Sequence, residues 1–219
     1  MLKRESPYRE NPLLRRSYSL IAPLYDLAIA RPLLQARTRS LQVLPKDVAG
    51  KVLLSGVGTG LDLPLLPKLH RYTALDFNSA MLSRAKARGA RLRDAQLPDE
   101  GLQIDWVLGD SMALPFADGH FDHVVLHLIV AVVPQPVECL REAARVLKPG
   151  GTVILFDKFL RQGQHAWLRR ALNPLSRRFA TRMDVVFEEV LREVPQLEKI
   201  RDVPLLAGGW FRGIVLRRP

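Results

Sequence analysis

A doubly wound α/β fold is what this 219-residue sequence predicts, and three observations predict it. Short apolar runs alternate with helical patterns through the middle of the chain, as in a parallel sheet covered on both faces. The first run, Lys51-Val-Leu-Leu-Ser55, leads straight into a glycine-rich turn, where a ligand can approach backbone N–H groups. Acidic residues then stand at or just past the ends of the next two runs, Asp76 and Asp110.

Taken in order, residues 1–17 are polar and basic without a clear period. Tyr18 to Leu44 is expected to be helical, with Leu24, Leu27, Ala28, Leu33 and Leu34 as apolar positions and Pro23 and Pro32 as interruptions or first-turn residues. This segment precedes the first strand, Lys51–Ser55, and is an addition to the fold. Leu61 to Leu69 is expected to begin the first helix behind that strand. Tyr72–Asp76 reads as the second strand, followed by an N-cap at Asn78 or Ser79 and a helix to about Arg88. Ile104–Leu108 and Phe121–Leu128 read as the third and fourth strands. Val137–Leu147 reads as a helix, Pro149-Gly150-Gly151 as a turn and Thr152–Phe156 as the fifth strand. A long basic helical region is expected after Lys158, to about Arg182, and a shorter acidic helix around Val185 to Val194. Antiparallel strands near Ile200–Leu205 and Trp210–Leu216 would then complete seven strands.

Composition narrows the class. Hydrophobic residues make up 47% of the chain, enough for a core and too many for general disorder. The longest apolar stretch, Val124 to Val133, contains His127 and stops at Pro134, short of the ~20 residues a membrane span needs. The opening Met-Leu-Lys-Arg-Glu-Ser-Pro-Tyr-Arg-Glu has no apolar signal core, so a cytoplasmic protein is expected. The single cysteine, Cys139, has no disulfide partner and no ligand cluster around it; it reads as an ordinary helix residue, and no metal site is expected. Net charge is +11, with seven basic residues between Lys158 and Arg182 and more in the first forty positions. Such patches favour polyanions, either nucleic acid or anionic lipid headgroups, or form a solvated arginine-rich surface.

The chemistry-bearing residues start at Ser55-Gly56-Val57-Gly58-Thr59-Gly60. Leu61 stands where the dinucleotide pattern Gly-x-Gly-x-x-Gly requires glycine. Asp76 at a strand tip can accept hydrogen bonds from ribose hydroxyls or cap the following helix. Asp110, in Gly109-Asp110-Ser111-Met112, can accept from an amino group on an adenine ring that faces the backbone of Ser111 and Met112, or it can sit in a surface turn.

Two further blocks follow, Phe121-Asp122-His123-Val124-Val125 and Arg145-Val146-Leu147-Lys148-Pro149-Gly150-Gly151. Together the four blocks, over about residues 50–157, resemble the class I S-adenosyl-L-methionine (SAM)-dependent methyltransferase family. The resemblance implies a Rossmann-like seven-stranded sheet with an added N-terminal helical segment. It implies SAM as cofactor, held by Gly56, Val57, Gly58, Gly60, Asp76, Phe77, Met81, Asp110, Ser111 and Met112. The chain then reads as one domain over 1–219: an N-terminal helical lid (1–45), a cofactor-binding core (46–157), and a basic helix with closing strands (158–219).

Tyr18-Ser-Leu-Ile-Ala-Pro-Leu-Tyr25-Asp26 is similar to the opening segment of two subfamilies, the ubiquinone/menaquinone C-methyltransferases and the soluble bacterial phosphatidylethanolamine N-methyltransferases. Leu63-Pro64-Leu65, Ala131-Val132-Val133-Pro134 and Gly208-Gly209-Trp210-Phe211 are more similar to the second. The chain departs from the family at Leu54, where an acid usually helps place the cofactor's amino-acid end. It departs again at Asp157-Lys158-Phe159, where phospholipid members tend to carry Asn-His-Phe.

Ligands of open α/β sheets bind beyond the carboxyl ends of the strands, which makes His127, Asp157, Tyr18 and Tyr25 candidates to face a substrate. His127 would accept a proton near neutral pH or be a buried, hydrogen-bonded histidine; Tyr18 and Tyr25 would close over the cofactor or cap the core. The resulting expectation is N-methylation of a phospholipid amine on the inner membrane face, through peripheral contact with anionic lipid. The alternative is methylation of a lipophilic quinone-like ring. Nucleic acid is disfavoured, because an Asn/Asp-Pro-Pro-Tyr/Phe base-pocket motif is missing after the fourth strand. SAM binding without catalysis is a further alternative, kept open by Leu54.

Overall fold

The computed structural model describes residues 32–94, 101–160 and 185–219. Its seven strands are β1 (Lys51–Ser55), β2 (Arg71–Asp76), β3 (Gln103–Leu108), β4 (Phe121–His127), β5 (Leu147–Lys158), β6 (Glu198–Leu206) and β7 (Phe211–Arg217). They form one sheet in the order β3-β2-β1-β4-β5-β7-β6. The first five are parallel, and β7 enters antiparallel between β5 and β6. The order reverses between β1 and β4, so the carboxyl ends of β1, β2 and β4 border a crevice.

Helices cover both faces. α1 (residues 32–41) buries Leu33, Ala36, Arg37, Ser40 and Leu41, the i, i+3, i+4, i+7 stripe of an amphipathic helix. Within the described residues it stops short of the expected Leu44. Pro45 follows Leu44, and the residue before a proline is disfavoured in helical geometry. Leu41 and Leu44 pack with Val52, Leu54, Tyr72 and Ile154 on one face of the sheet. On the other, α3 (Pro136–Val146) and α4 (Phe187–Arg192) pack Leu140, Ala143, Phe187 and Val190 against Leu53, Val124, Val153 and Ile214. Cys139 is buried in α3, and burial pushes its thiol well above the ordinary range.

Several expected element boundaries need correction. The helix expected at Leu61–Leu69 is only a single 3-10 turn, Leu63–Leu65. Leu66 precedes Pro67 and is extended (φ −77°, ψ 136°). α2 (Ser79–Asp94) runs beyond Arg88. Asn78 caps it, its Oδ1 accepting from Ala80 N (2.9 Å) and Met81 N (3.3 Å). The helix passes through Gly89, where a Cβ would lie 3.0 Å from Trp106 Cζ2; glycine there serves close packing and does not end the helix.

Pro149-Gly150-Gly151 is absorbed into β5 instead of preceding it. Gly150 takes φ +80° and its N donates to Arg218 O at 2.7 Å, so the C-terminal strand supplies the hydrogen bonding that keeps this stretch in the sheet. β5 also runs on to Lys158, past the expected Phe156, and Leu160 N donates to Val185 O at 2.9 Å. The basic segment expected beyond it, residues 161–184, lies outside the described residues. The acidic helix around Val185 to Val194 is real but shorter, the six residues of α4.

Candidate active site

β1 ends at Ser55, and the chain must turn sharply there because Gly56, Gly58 and Gly60 have φ of +78°, +56° and +78°, a region costly for residues with a Cβ. The turn is tied to β2: Gly56 N and Val57 N donate to Leu75 O at 2.8 and 2.9 Å. Gly58 N donates to Asp76 Oδ2 at 2.8 Å, and Asn78 N to Asp76 Oδ1 at 2.9 Å. Asp76 is 5% exposed. Burial raises its pKa, and the N–H groups of Asn78, Gly58 and Phe77 oppose the rise.

The turn after β3 joins the same group. Gly109 N donates to Asp76 O at 3.0 Å, Met112 N to Asp110 Oδ1 at 2.9 Å, and Ser55 Oγ to Ser111 Oγ at 2.8 Å. Met81 and Met112, each 8% exposed, lie among the core side chains. The ten residues expected to hold a cofactor thus gather at the carboxyl ends of β1, β2 and β3.

The turn is crowded at one glycine and open at another. A Cβ at Gly56 would lie 2.8 Å from Ile129 Cδ1, whereas nothing stands within 4 Å of one at Gly58. Gly56→Ala is therefore expected to cost about 2 kcal/mol, from strain and clash together, and Gly58→Ala about 1 kcal/mol from strain alone. Urea titrations of the two proteins test this; equal losses would contradict the geometry.

The other candidates separate. His127, with a side chain 2% exposed, has Nε2 3.0 Å from Ser40 Oγ and Nδ1 3.1 Å from Asp62 Oδ2. Both ring nitrogens face protein groups, although Nδ1 is buried without an aligned hydrogen bond. Asp157 is fully buried; Oδ2 accepts from Ala131 N at 2.9 Å and Oδ1 from Lys158 N at 2.8 Å. It holds the turn after β4 against β5. Burial raises its pKa, opposed first by the charge of Lys158. Tyr18 and Tyr25 lie outside the described residues. Leu54 is 3% exposed and packs with Leu41, Leu44 and Leu63, so the position of the family acid is part of the core.

Sequence reasoning passes over Asp62, Arg37 and Ser40. Arg37 Nη1 donates to Asp62 Oδ1 at 2.7 Å, and all three residues are buried beside His127. The available signal is an acid inside the apolar run Leu61-Asp62-Leu63-Pro64, directly after the glycines. Among the described residues, no group of three or more His, Cys, Asp or Glu is placed to hold a metal ion.

A sheet in this order, with a glycine turn after β1 and carboxylates closing β2 and following β3, defines a SAM-dependent methyltransferase of Rossmann-like fold. The chain belongs to that family. A family model described as "Methyltransferase domain" matches residues 53–155. A phosphatidylethanolamine N-methyltransferase of Cereibacter sphaeroides is 32% identical over 93% of this chain and 96% of that one. The ubiquinone/menaquinone biosynthesis C-methyltransferase UbiE of Roseobacter denitrificans is 41% identical, over 39% of this chain and 32% of its own length.

Among solved structures, geranyl diphosphate C-methyltransferase from Streptomyces coelicolor, in complex with Mg2+, geranyl diphosphate and S-adenosyl-L-homocysteine, superposes with TM-score 0.67. It has 15% identity and covers 99% of this chain and 100% of that chain. The [4+2]-cyclase SpnF superposes with TM-score 0.61 at 18% identity, covering 92% and 96%. Fold alone therefore does not dictate the reaction.

Proposed function

We propose that the protein N-methylates a phospholipid amine of the phosphatidylethanolamine type at an anionic membrane surface. The observation that carries this reading is coverage. The likeness to the Cereibacter sphaeroides enzyme runs through 93% of the chain, including its flanks, whereas the likeness to UbiE takes in 39%. The basic excess, +11 overall, suits an anionic interface, where each cation near the surface contributes on the order of 1 kcal/mol. Among the described residues no helix is long and apolar enough to cross a membrane, so contact would be peripheral.

Bound SAM supplies an already activated methyl group on its sulfonium. The residues have correspondingly modest tasks. Gly56, Val57, Gly58 and Gly60 would hold the amino-acid end, Asp76 with Phe77 and Met81 the ribose, and Asp110, Ser111 and Met112 the adenine. The remaining work is to align a neutral amine and exclude water. The buried Asp157 and His127 at the ends of β5 and β4 maintain the walls of that crevice, and Tyr18 and Tyr25 would close it.

Radiolabelled methyl transfer from SAM into a total lipid extract tests the reading. Label is expected in mono- and dimethylated phosphatidylethanolamine, with transfer to anionic vesicles falling steeply as salt rises. Label in the quinone fraction would instead support ring methylation, which the 41% identity to UbiE favours over 87 residues.

A further inference from the structure

Behind the glycine turn, four buried polar side chains from three separate segments meet. Arg37 and Ser40 come from α1, Asp62 lies two residues beyond Gly60, and His127 ends β4; their exposures are 6%, 5%, 9% and 6%. Asp62 is the centre. Its Oδ1 accepts from Arg37 Nη1 at 2.7 Å, and its Oδ2 lies 3.1 Å from His127 Nδ1. His127 Nε2 returns to α1 at Ser40 Oγ, 3.0 Å away. Helix α1 is therefore hydrogen-bonded to Asp62 directly and linked to it a second time by the close His127–Asp62 contact, in which Nδ1 makes no aligned hydrogen bond.

Burial tends to raise the Asp62 carboxyl, yet His127 and Arg37 hold it well below the usual carboxylate range. Such a buried ionic cluster is a poor source of net stability, because desolvation consumes most of the attraction. Leu33, Ala36 and Leu41 already bury the apolar stripe of α1. What the cluster adds is directional. One carboxylate oxygen accepts from Arg37 and the other lies in close ion-pair contact with His127, so a shift of the turn leaving Gly60 relative to α1 disturbs both contacts at once.

We infer that Asp62 is a positioning residue that couples α1 to the glycine turn, so that filling the cofactor site and docking α1 stabilise each other. The inference rests on the glycine turn being the cofactor site. By linkage the coupling is reciprocal: whatever fixes the turn fixes the helix, and a helix held in place improves cofactor affinity by the same factor.

Hydrogen–deuterium exchange of the whole protein, with and without S-adenosyl-L-homocysteine, tests it, with calorimetry for affinity. In the wild type the homocysteine is expected to protect both residues 56–60 and residues 32–41. In Asp62→Asn, protection of 56–60 at saturation should remain, protection of 32–41 should not change with the ligand, and Kd should rise about tenfold. Unaltered exchange in β6 and β7 would show that the variant is folded; if it is not, the wild-type comparison alone decides. Protection of the turn without the helix would overturn the coupling and leave the cofactor site standing. No protection of the turn would overturn both, and an Asp62→Asn protein indistinguishable from wild type would remove Asp62 from the role.

Discussion

Replacing Asp76 by alanine is expected to weaken binding of S-adenosyl-L-homocysteine about 100-fold. A hydrogen bond to a charged acceptor contributes about 1.5–3 kcal/mol, and two ribose hydroxyls donating to this carboxylate would together contribute about 3 kcal/mol. Each 1.4 kcal/mol is tenfold in affinity. The same carboxylate accepts from Gly58 N and Asn78 N, so alanine would also release the turn that approaches the ligand. Asp76→Asn separates the two contributions: asparagine keeps one acceptor oxygen but turns an NH2 toward one of the two amides. Its affinity is expected to fall between the wild type and alanine. Calorimetry with purified protein decides, and a Kd within threefold of wild type for alanine would take Asp76 out of the site.

Arg212→Met is expected to cost about 3 kcal/mol of folding stability at pH 7. Arg212 is 1% exposed on β7. Its Nε and Nη2 engage Asp202, Nη2 also reaches Glu188 Oε1, and Nη1 donates to Leu160 O at 3.2 Å. One guanidinium thereby ties α4, β6 and the end of the β5 segment to β7. Removing one partner of a buried pair strands the other and costs about 3–5 kcal/mol. The lower end applies because both carboxylate side chains keep 22% exposure.

The effect should depend on pH. Burial pulls the Glu188 and Asp202 carboxyls upward, but Arg212 outweighs it and both lie below their ordinary values of 4.5 and 3.8. In the wild type they therefore contribute stability above those values, lost as pH falls through the lowered ones. Without the guanidinium only Lys199, 3.0 Å from Asp202 Oδ2 and 3.8 Å from Glu188 Oε1, still opposes burial and the repulsion between the carboxylates, so the variant loses most of that pH-dependent stability. Urea titrations at pH 7 and at about pH 3, below both ordinary values, should show the gap to wild type shrinking toward acid. Adding Glu188→Gln and Asp202→Asn should recover most of the loss at pH 7. A gap that is the same at both pH values would mean that Arg212 acts by packing on Phe187, whose ring centroid is 5.8 Å away.

The strands β1 to β5 and the glycine turn are legible in the chain because their causes are local. A strand buried on both faces needs a continuous apolar run, such as the KVLLS of β1, whose last four residues are all buried. A reversal with repeated positive φ needs glycine, and Gly56, Gly58 and Gly60 meet that need. Asp76 and Asp110 follow directly, since each stands at or just past the carboxyl end of its strand. With those positions known, the cofactor class follows from the resemblance.

Other features rest on contacts between residues far apart in sequence. The helix expected to end at about Arg88 continues through Gly89, whose missing side chain makes room for Trp106. Pro149-Gly150-Gly151 reads as a turn until Arg218 pairs with it. Two closing strands can be anticipated, yet their order in the sheet, with β7 between β5 and β6, is seen only in the tertiary structure. His127 is the clearest case. The sequence shows a histidine ending an apolar strand, which suits a proton acceptor as well as a core residue. Residues 65 and 87 positions away, Asp62 and Ser40, stand against its ring nitrogens, Ser40 in a hydrogen bond and Asp62 at ion-pair distance, and no local pattern encodes them. Periodicity and backbone sterics act over a few residues and can be read along the chain, whereas buried polar pairing is settled when distant segments are packed out of water together.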